Sequence, residues 1–393
     1  MGTDYRCVCR RRVFRLTVFE EQCKPFVRCF RLCLCTSLKP MLCCQVWVQV
    51  SLLGLLFGTT CGSISVLSDV GSLLMKRLDH RMPQLLSASG GTGIQLLLVA
   101  VLVLPLCLLR DIRSLDQCAP ASAVVIAVLV GVIVHGSLSE GLPAIRTRDL
   151  PIFAPSDPRS LPEAVSLFGF AFYLHPCLIP VLREMPSGAE GLRATVAATR
   201  AVLYVVCVAV YGAVGLFGAA WFGTDTQGDI LENDFIPGRL AVVLVAAVAA
   251  YLAVTIPPIF HVLRTSFSEL VAPGAGFSWG RHVAETVGLL AAAVGVTLSF
   301  SEGSEKIFAI TGSTGVCMAC YVLPIAIYRR GQRTGWRRGF GTDGPLKEAT
   351  SPLLEGAASV SSAYEDVACL LIATVGAATS AAALWTSLAG DGQ

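Results

Sequence analysis

Residues 167–185 read LFGFAFYLHPCLIPVLREM and hold the most chemically capable side chains of an otherwise apolar chain. Pro176 and Pro180, four positions apart, each lack a backbone donor and crowd the preceding helical turn. Gly169 loosens the same stretch. A helix crossing a bilayer here is expected to kink or unwind near its middle. Backbone unwound at membrane depth survives only where it is buried or lines a cavity. Its freed carbonyls and half-helix ends can then hold a zwitterion or a cation. The plainer alternative, a proline kink with a packed histidine beside it, stays open. His175 has an ordinary pKa close to working pH, which suits proton coupling or a substrate contact. A neutral imidazole bonded to a carbonyl is the quieter reading.

Two other stretches carry polar groups inside apolar surroundings. Thr255 precedes Pro257 and Pro258, a second expected break, and its oxygen is a weak candidate for a coupling cation. The run TGSTG at 311–315 offers small residues that let helices approach closely, which reads as packing before ligand binding. Eight of the sixteen cysteines lie between Cys7 and Cys44, including Cys7-x-Cys9 and Cys33-x-Cys35. The first histidine is His80, and arginines interleave the early cysteines, so no metal site is expected. The chain has no phosphate-binding glycine loop, no zinc-protease motif, no GxSxG elbow and no paired carboxylates at depth. An enzyme, a nucleotide-driven pump and a cofactor are therefore not expected.

Helices that cross a bilayer must position these residues. The 393-residue chain is 54% hydrophobic and only 15% charged, against about 25% charge in soluble domains. Its mean hydropathy is +0.67. A net charge of +3 without a basic and aromatic stripe excludes nucleic acid as a partner and leaves the lipid bilayer. A span needs roughly 20 apolar residues. Nine blocks qualify, near 43–67, 93–109, 121–138, 163–182, 199–222, 239–260, 283–300, 307–328 and 366–389. They define an all-α membrane protein.

Arginines mark cytoplasmic loops. Arg329, Arg330, Arg333, Arg337 and Arg338 follow the eighth block. Asp225, Asp229, Glu232 and Asp234 follow the fifth, which alternation puts on the opposite side. The same counting puts the N-terminus in the cytoplasm, while Lys76, Arg77 and Arg81 run against the rule. The organisation expected is a Cys- and Arg-rich cytoplasmic segment over 1–40, unlike a signal peptide, and an eight-span core over 41–328. A flexible basic loop over 329–365 and a last span with its tail over 366–393 follow.

Five stretches, in order, resemble the amino acid/auxin permease family. They are SISVLSDVGSLL (63–74), VLVLPLCLLRDIRSL (101–115), GFAFYLHPCLIPVLREM (169–185), VYGAVGLFGAAWFGTDTQGDIL (210–231) and IFAITGSTGVCMACYVLP (307–324). The resemblance implies a LeuT-like fold of eleven spans, built from two inverted five-helix repeats and one extra helix. It implies secondary transport of amino acids driven by protons or sodium. Carried over by motif, Gly169, Phe170, Phe172, Tyr173, His175 and Pro176 would line the substrate site, with Thr255 near the coupling ion. The nine blocks would be the family's third to eleventh spans. The glycine-rich first span, with its Leu-Pro-Tyr-like motif, has no counterpart in the sequence. The reading is thus an incomplete inverted-repeat transporter of about nine spans, in a plasma, vacuolar or lysosomal membrane. A non-transporting amino-acid sensor, or an inactive incomplete product, is the alternative.

Overall fold

The computed structural model describes residues 38–78, 96–109, 119–147, 161–173, 189–233, 239–272, 274, 276–299, 304–323, 325 and 362–389. Most of the 1–40 segment and of the 329–365 loop lies outside them, as do His175 and Pro176. Every regular element among the described residues is helical. The elements are α1 (Leu38–Leu78), α2 (Leu96–Cys107), α3 (Ala119–Ser139), the short α4 (Pro143–Thr147) and α5 (Leu161–Ala171). The next, α6, joins Ala189–Ala201, a wide π-helical stretch Val202–Tyr211, and Gly212–Phe222. Then come α7 (Arg239–Val271), α8 (Trp279–Ser299), α9 (Ser304–Thr311, widening into π-helical Gly312–Val322) and α10 (Ser362–Ala389). Among the described residues, five stretches are long and apolar enough to cross a membrane. They are Val48–Arg77, Pro120–Thr147, Arg193–Asp225, Arg239–Val271 and Trp279–Ser299.

The described residues fall into two compact units. The larger draws on 52–173, 201–317 and 378–393 and carries the continuous core. Leu56, Cys61, Ile64, Leu67 and Val70 of α1 meet Val99, Val103 and Cys107 of α2 there. Val245, Ile256, Phe260 and Leu263 of α7 and Leu290, Ala293 and Val294 of α8 complete the cluster. Cys61, Ile64, Leu67 and Val70 recur every three residues on α1, and Val99, Val103 and Cys107 every four on α2, the spacing of one helical face. In the smaller unit the Tyr321 ring lies against Gly376 of α10, where an added Cβ would stand 3.1 Å from the ring.

One expectation is corrected. Pro257 and Pro258 do not break their helix, because α7 runs from Arg239 to Val271 with both prolines inside. Each proline deprives the carbonyl four residues earlier of its helical donor, at a cost of about 3 kcal/mol. Ile256, Phe260 and Leu263 flank the pair and are each 1% exposed or less. Their tight seating in the core holds the rod together through the disturbed turn.

Candidate functional site

Helix α5, LPEAVSLFGFA, starts where a helix should. Pro162 sits in the first turn, where a missing N–H costs nothing, and Glu163 faces the positive end of the helix dipole. It ends at Ala171. The Phe172 amide still donates to the Phe168 carbonyl at 3.0 Å, and the Tyr173 amide closes a tighter turn onto Phe170 at 3.3 Å. The helix therefore stops ahead of Pro176. Pro176 and Pro180, on which the expected kink rests, lie outside the described residues.

The end of α5 is seated between α1 and α9. Ser166, 7% exposed, donates from Oγ to the Ala309 carbonyl at 2.8 Å. Gly312 lies directly on the Ser166 carbonyl, and an added Cβ there would collide with it. Along the same helix α9, Gly58 of α1 meets Thr311, Gly62 meets the Phe308 ring, and Gly315 meets the Leu55 backbone. An added Cβ at Gly315 would stand 2.8 Å from the Leu55 Cα. The small-residue run at 311–315 thus packs helices, as expected: Thr311 and Gly315 meet Gly58 and Leu55 of α1, and Gly312 meets Ser166 of α5.

This seating brings aromatic rings and hydroxyls together. Phe170 stacks at a tilt on Tyr173 (5.1 Å between centroids) and on Phe308 (4.8 Å). The Tyr173 hydroxyl is 3.2 Å from Thr59 Oγ1. Thr59 spends its only hydroxyl hydrogen on the Leu55 carbonyl at 2.7 Å, so Tyr173 donates and Thr59 accepts. Thr311 donates to the Ile307 carbonyl at 2.7 Å. The cluster of Thr59, Ser166, Phe170, Tyr173, Phe308 and Thr311 contains no carboxylate, amine, guanidinium or imidazole.

Charge collects instead at one end of these helices. Asp229 and Glu232 of the loop after α6 lie within electrostatic range of Asp69 of α1 and of Glu305 at the head of α9, and Glu305 also feels Glu163 at the head of α5. Burial pushes the Asp229 carboxyl above its ordinary range. A bond from the Leu231 amide partly offsets that, and Glu232 adds to it. Burial likewise raises Glu305, with Glu163, Glu232 and Asp229 contributing. Gly228 rests against the Glu305 carboxylate, where any Cβ would clash, so the loop is folded onto the start of α9. Thr59 lies ten residues from Asp69, roughly 15 Å along a helix.

Of the residues singled out from sequence, the structure unites Phe170 and Tyr173. It leaves Gly169 in the last turns of α5 and turns Phe172 toward Tyr211 of α6 in an edge-on contact at 5.6 Å. Thr255 donates to Leu252 within its own helix at 3.0 Å. Thr59, Ser166 and Phe308 were not anticipated, and Thr311 was read only as part of a packing run. The available signal was the Gly58–Gly62 spacing, which marks a helix seam on which Thr59 and Phe308 both lie.

The described residues are helical, with five helices long and apolar enough to cross a membrane and an aromatic and hydroxyl cluster where α5 ends, which defines an integral membrane protein. The chain is a member of the family described as transmembrane amino acid transporter protein, which matches residues 43–338. It is similar to sodium-coupled neutral amino acid symporter 2 of Danio rerio, with 29% identity over 168 residues. That similarity covers 42% of this chain and 32% of the relative, so the match spans about a third of the relative's length. No solved structure matches the chain.

Proposed function

We propose that the chain moves amino acids across a membrane by alternating access, coupled to protons or sodium, on a LeuT-like inverted-repeat framework of about nine spans. The observation that carries the reading is the end of α5. A membrane helix stops at Ala171, beside Phe170, Tyr173 and Thr59, in a chain belonging to an amino acid transporter family. The similarity to a sodium-coupled neutral amino acid symporter supports a neutral amino acid and sodium as first choices.

In this reading the substrate's charged groups meet backbone polar groups where α5 ends, and its side chain meets the aromatic rings. Gly169, Phe170, Phe172, Tyr173, His175 and Pro176 line the path, with Thr255 offering an oxygen to the coupling ion. Substrate and ion must bind the two access states with different affinity, since a ligand shifts an equilibrium only by that difference. The alternating path of the helices supports a cytoplasmic N-terminus and an acidic end facing outside or an organelle lumen.

The test is uptake of radiolabelled alanine into proteoliposomes holding the full chain, with sodium and proton gradients imposed separately. Uptake driven by either gradient supports transport and names the ion. Saturable binding without uptake would replace it by a sensor. Absence of both binding and uptake across a panel of neutral amino acids would refute the amino-acid reading.

A further inference from the structure

At the end of the larger unit far from the acidic loop, one buried cation joins three helices. Arg264 of α7 is 4% exposed. It lies 25 residues beyond Arg239, roughly 37 Å along the helix. One terminal nitrogen donates to the Cys107 carbonyl of α2 at 2.8 Å and to Thr286 Oγ1 of α8 at 3.1 Å. The other lies 3.0 Å from His261 Nδ1. Guanidinium cannot accept, so His261 Nδ1 is the acceptor and carries no proton. Thr286 spends its hydrogen on the His282 carbonyl at 2.7 Å, so it too accepts from Arg264.

A second side chain serves the same helix end. His282 of α8 is 7% exposed and stands with Nε2 3.2 Å from the Leu108 carbonyl. Phe277 and Trp279 pack edge-on against its ring at 5.5 and 5.3 Å. The last carbonyls of a helix lack partners and favour positive charge. Here α7 and α8 each send a donor to the terminal carbonyls of α2. Glu285, next to Thr286, adds negative charge near the guanidinium. Planar Arg reaches several acceptors from a fixed fork, which the point charge of Lys does not. Arginine in a membrane span is a functional hypothesis by default, and none of these groups belongs to the α5 site.

The geometry points to Arg264 as a positioning residue of the transport cycle: its fork fastens the end of α2 to α7 and α8. The three helices then act as one body behind the α5 site. This rests on the transport reading, because only then does a moving site need a fixed partner. The bonds run to Cys107 on α2 and Thr286 on α8, so sliding of either helix breaks one of them.

Two buried thiols make the clamp readable. Cys107, 3% exposed, is the residue whose carbonyl Arg264 holds, and Cys61, 1% exposed, lies in the same core on α1. The full chain is reconstituted as wild type, Arg264→Met, Arg264→Lys and Thr286→Val. Alkylation by N-ethylmaleimide is followed peptide by peptide, alongside alanine uptake. Arg264→Met is expected to speed Cys107 alkylation about tenfold while Cys61 stays protected, because only the local unit opens. The maximal uptake rate is expected to fall about tenfold with KM within about twofold, the signature of a lost step rather than lost binding. Arg264→Lys recovers part of both, and Thr286→Val shifts both in the same direction by less.

Protection of Cys107 in Arg264→Met and Thr286→Val would overturn the proposal. So would parallel exposure of Cys61 and Cys107, or a KM change as large as the rate change. If Arg264→Met does not fold, alkylation and uptake of Thr286→Val decide. If wild type moves no amino acid, the transport reading fails by itself, and selective exposure of Cys107 still separates a clamp from none.

Discussion

Two alanine substitutions at buried and open helix glycines isolate the cost of crowding the aromatic cluster. A Cβ at Gly62 would stand 2.6 Å from Cζ and 2.7 Å from Cδ1 of Phe308. Carbon atoms rest about 3.5–4.0 Å apart, so the ring must retreat by about 1 Å. Its centroid already lies 4.8 Å from Phe170, and Phe170 lies 5.1 Å from Tyr173, so the retreat presses on the rings of the site. A Cβ at Gly295 meets nothing within 4 Å. Both substitutions gain about 1 kcal/mol of helix propensity, and that gain cancels in the comparison. The remaining difference is the overpacking term, about 1–3 kcal/mol. With unfolding entropy of about 2.1 cal/mol/K per residue over 393 residues, Gly62→Ala should melt roughly 1–4 °C below Gly295→Ala. The assay is thermal unfolding of purified protein in one detergent, paired with alanine uptake. Gly62→Ala should also raise KM, while Gly295→Ala leaves it unchanged. Equal melting and equal KM would refute both the packing argument and the place of Phe308 in the site.

Other perturbations test separate links. Tyr173→Phe and Thr59→Val should couple by about 0.5–1.5 kcal/mol in a double-mutant cycle of unfolding, the net worth of one hydrogen bond; zero coupling would remove that bond from the site. Pro258→Ala restores a donor to the Val254 carbonyl in a helix already continuous. Its melting temperature should hold or rise, and a collapse of stability and uptake would show that the proline is required. Asp229 and Glu305 have folded pKa values raised mainly by burial. Their contribution is therefore full below the ordinary carboxylate range and lost as pH rises through the raised values. Wild type should lose stability over that rise, and Asp229→Asn, which keeps the acceptor for the Leu231 amide, should lose less. Parallel pH profiles of the two proteins would contradict this.

Helical class and membrane setting were legible because both follow from composition and block length, which local sequence carries in full. Blocks 121–138, 199–222 and 239–260 fall within helices of spanning length, while the described parts of 93–109 and 163–182 hold the apolar helices Leu96–Cys107 and Leu161–Ala171. The packing role of 311–315 was legible for the same reason, since small residues announce close approach whatever faces them. The continuity of α7 was not. Whether a proline pair breaks a helix depends on how firmly its flanks are held, and Ile256, Phe260 and Leu263 are held by residues of other helices. Thr59 and Ser166 escaped notice because their partners are 114 and 143 positions away. The same distance in sequence hides the Arg264 clamp, whose Cys107 acceptor lies 157 positions earlier.

The distribution of charge carries a further consequence for any substrate at the α5 end. A zwitterion has no net charge, yet each of its ionised groups must exchange water for a partner. A single charged side chain in the centre would satisfy one group and repel the other. Among the described residues the centre holds hydroxyls and rings instead, while Glu163 and Glu305 stand at the helix heads and Arg264 lies far along α7. The C-terminal end of a helix offers carbonyls, a partial negative charge that suits the cationic half of a zwitterion. Helix α5 brings its carbonyl end to Tyr173, so on the transport reading the substrate ammonium belongs at that end. The hydroxyls of Thr59 and Tyr173 are bonded to each other before any substrate arrives. They hold the end of α5 against α1 without adding a charge that a neutral solute would have to overcome.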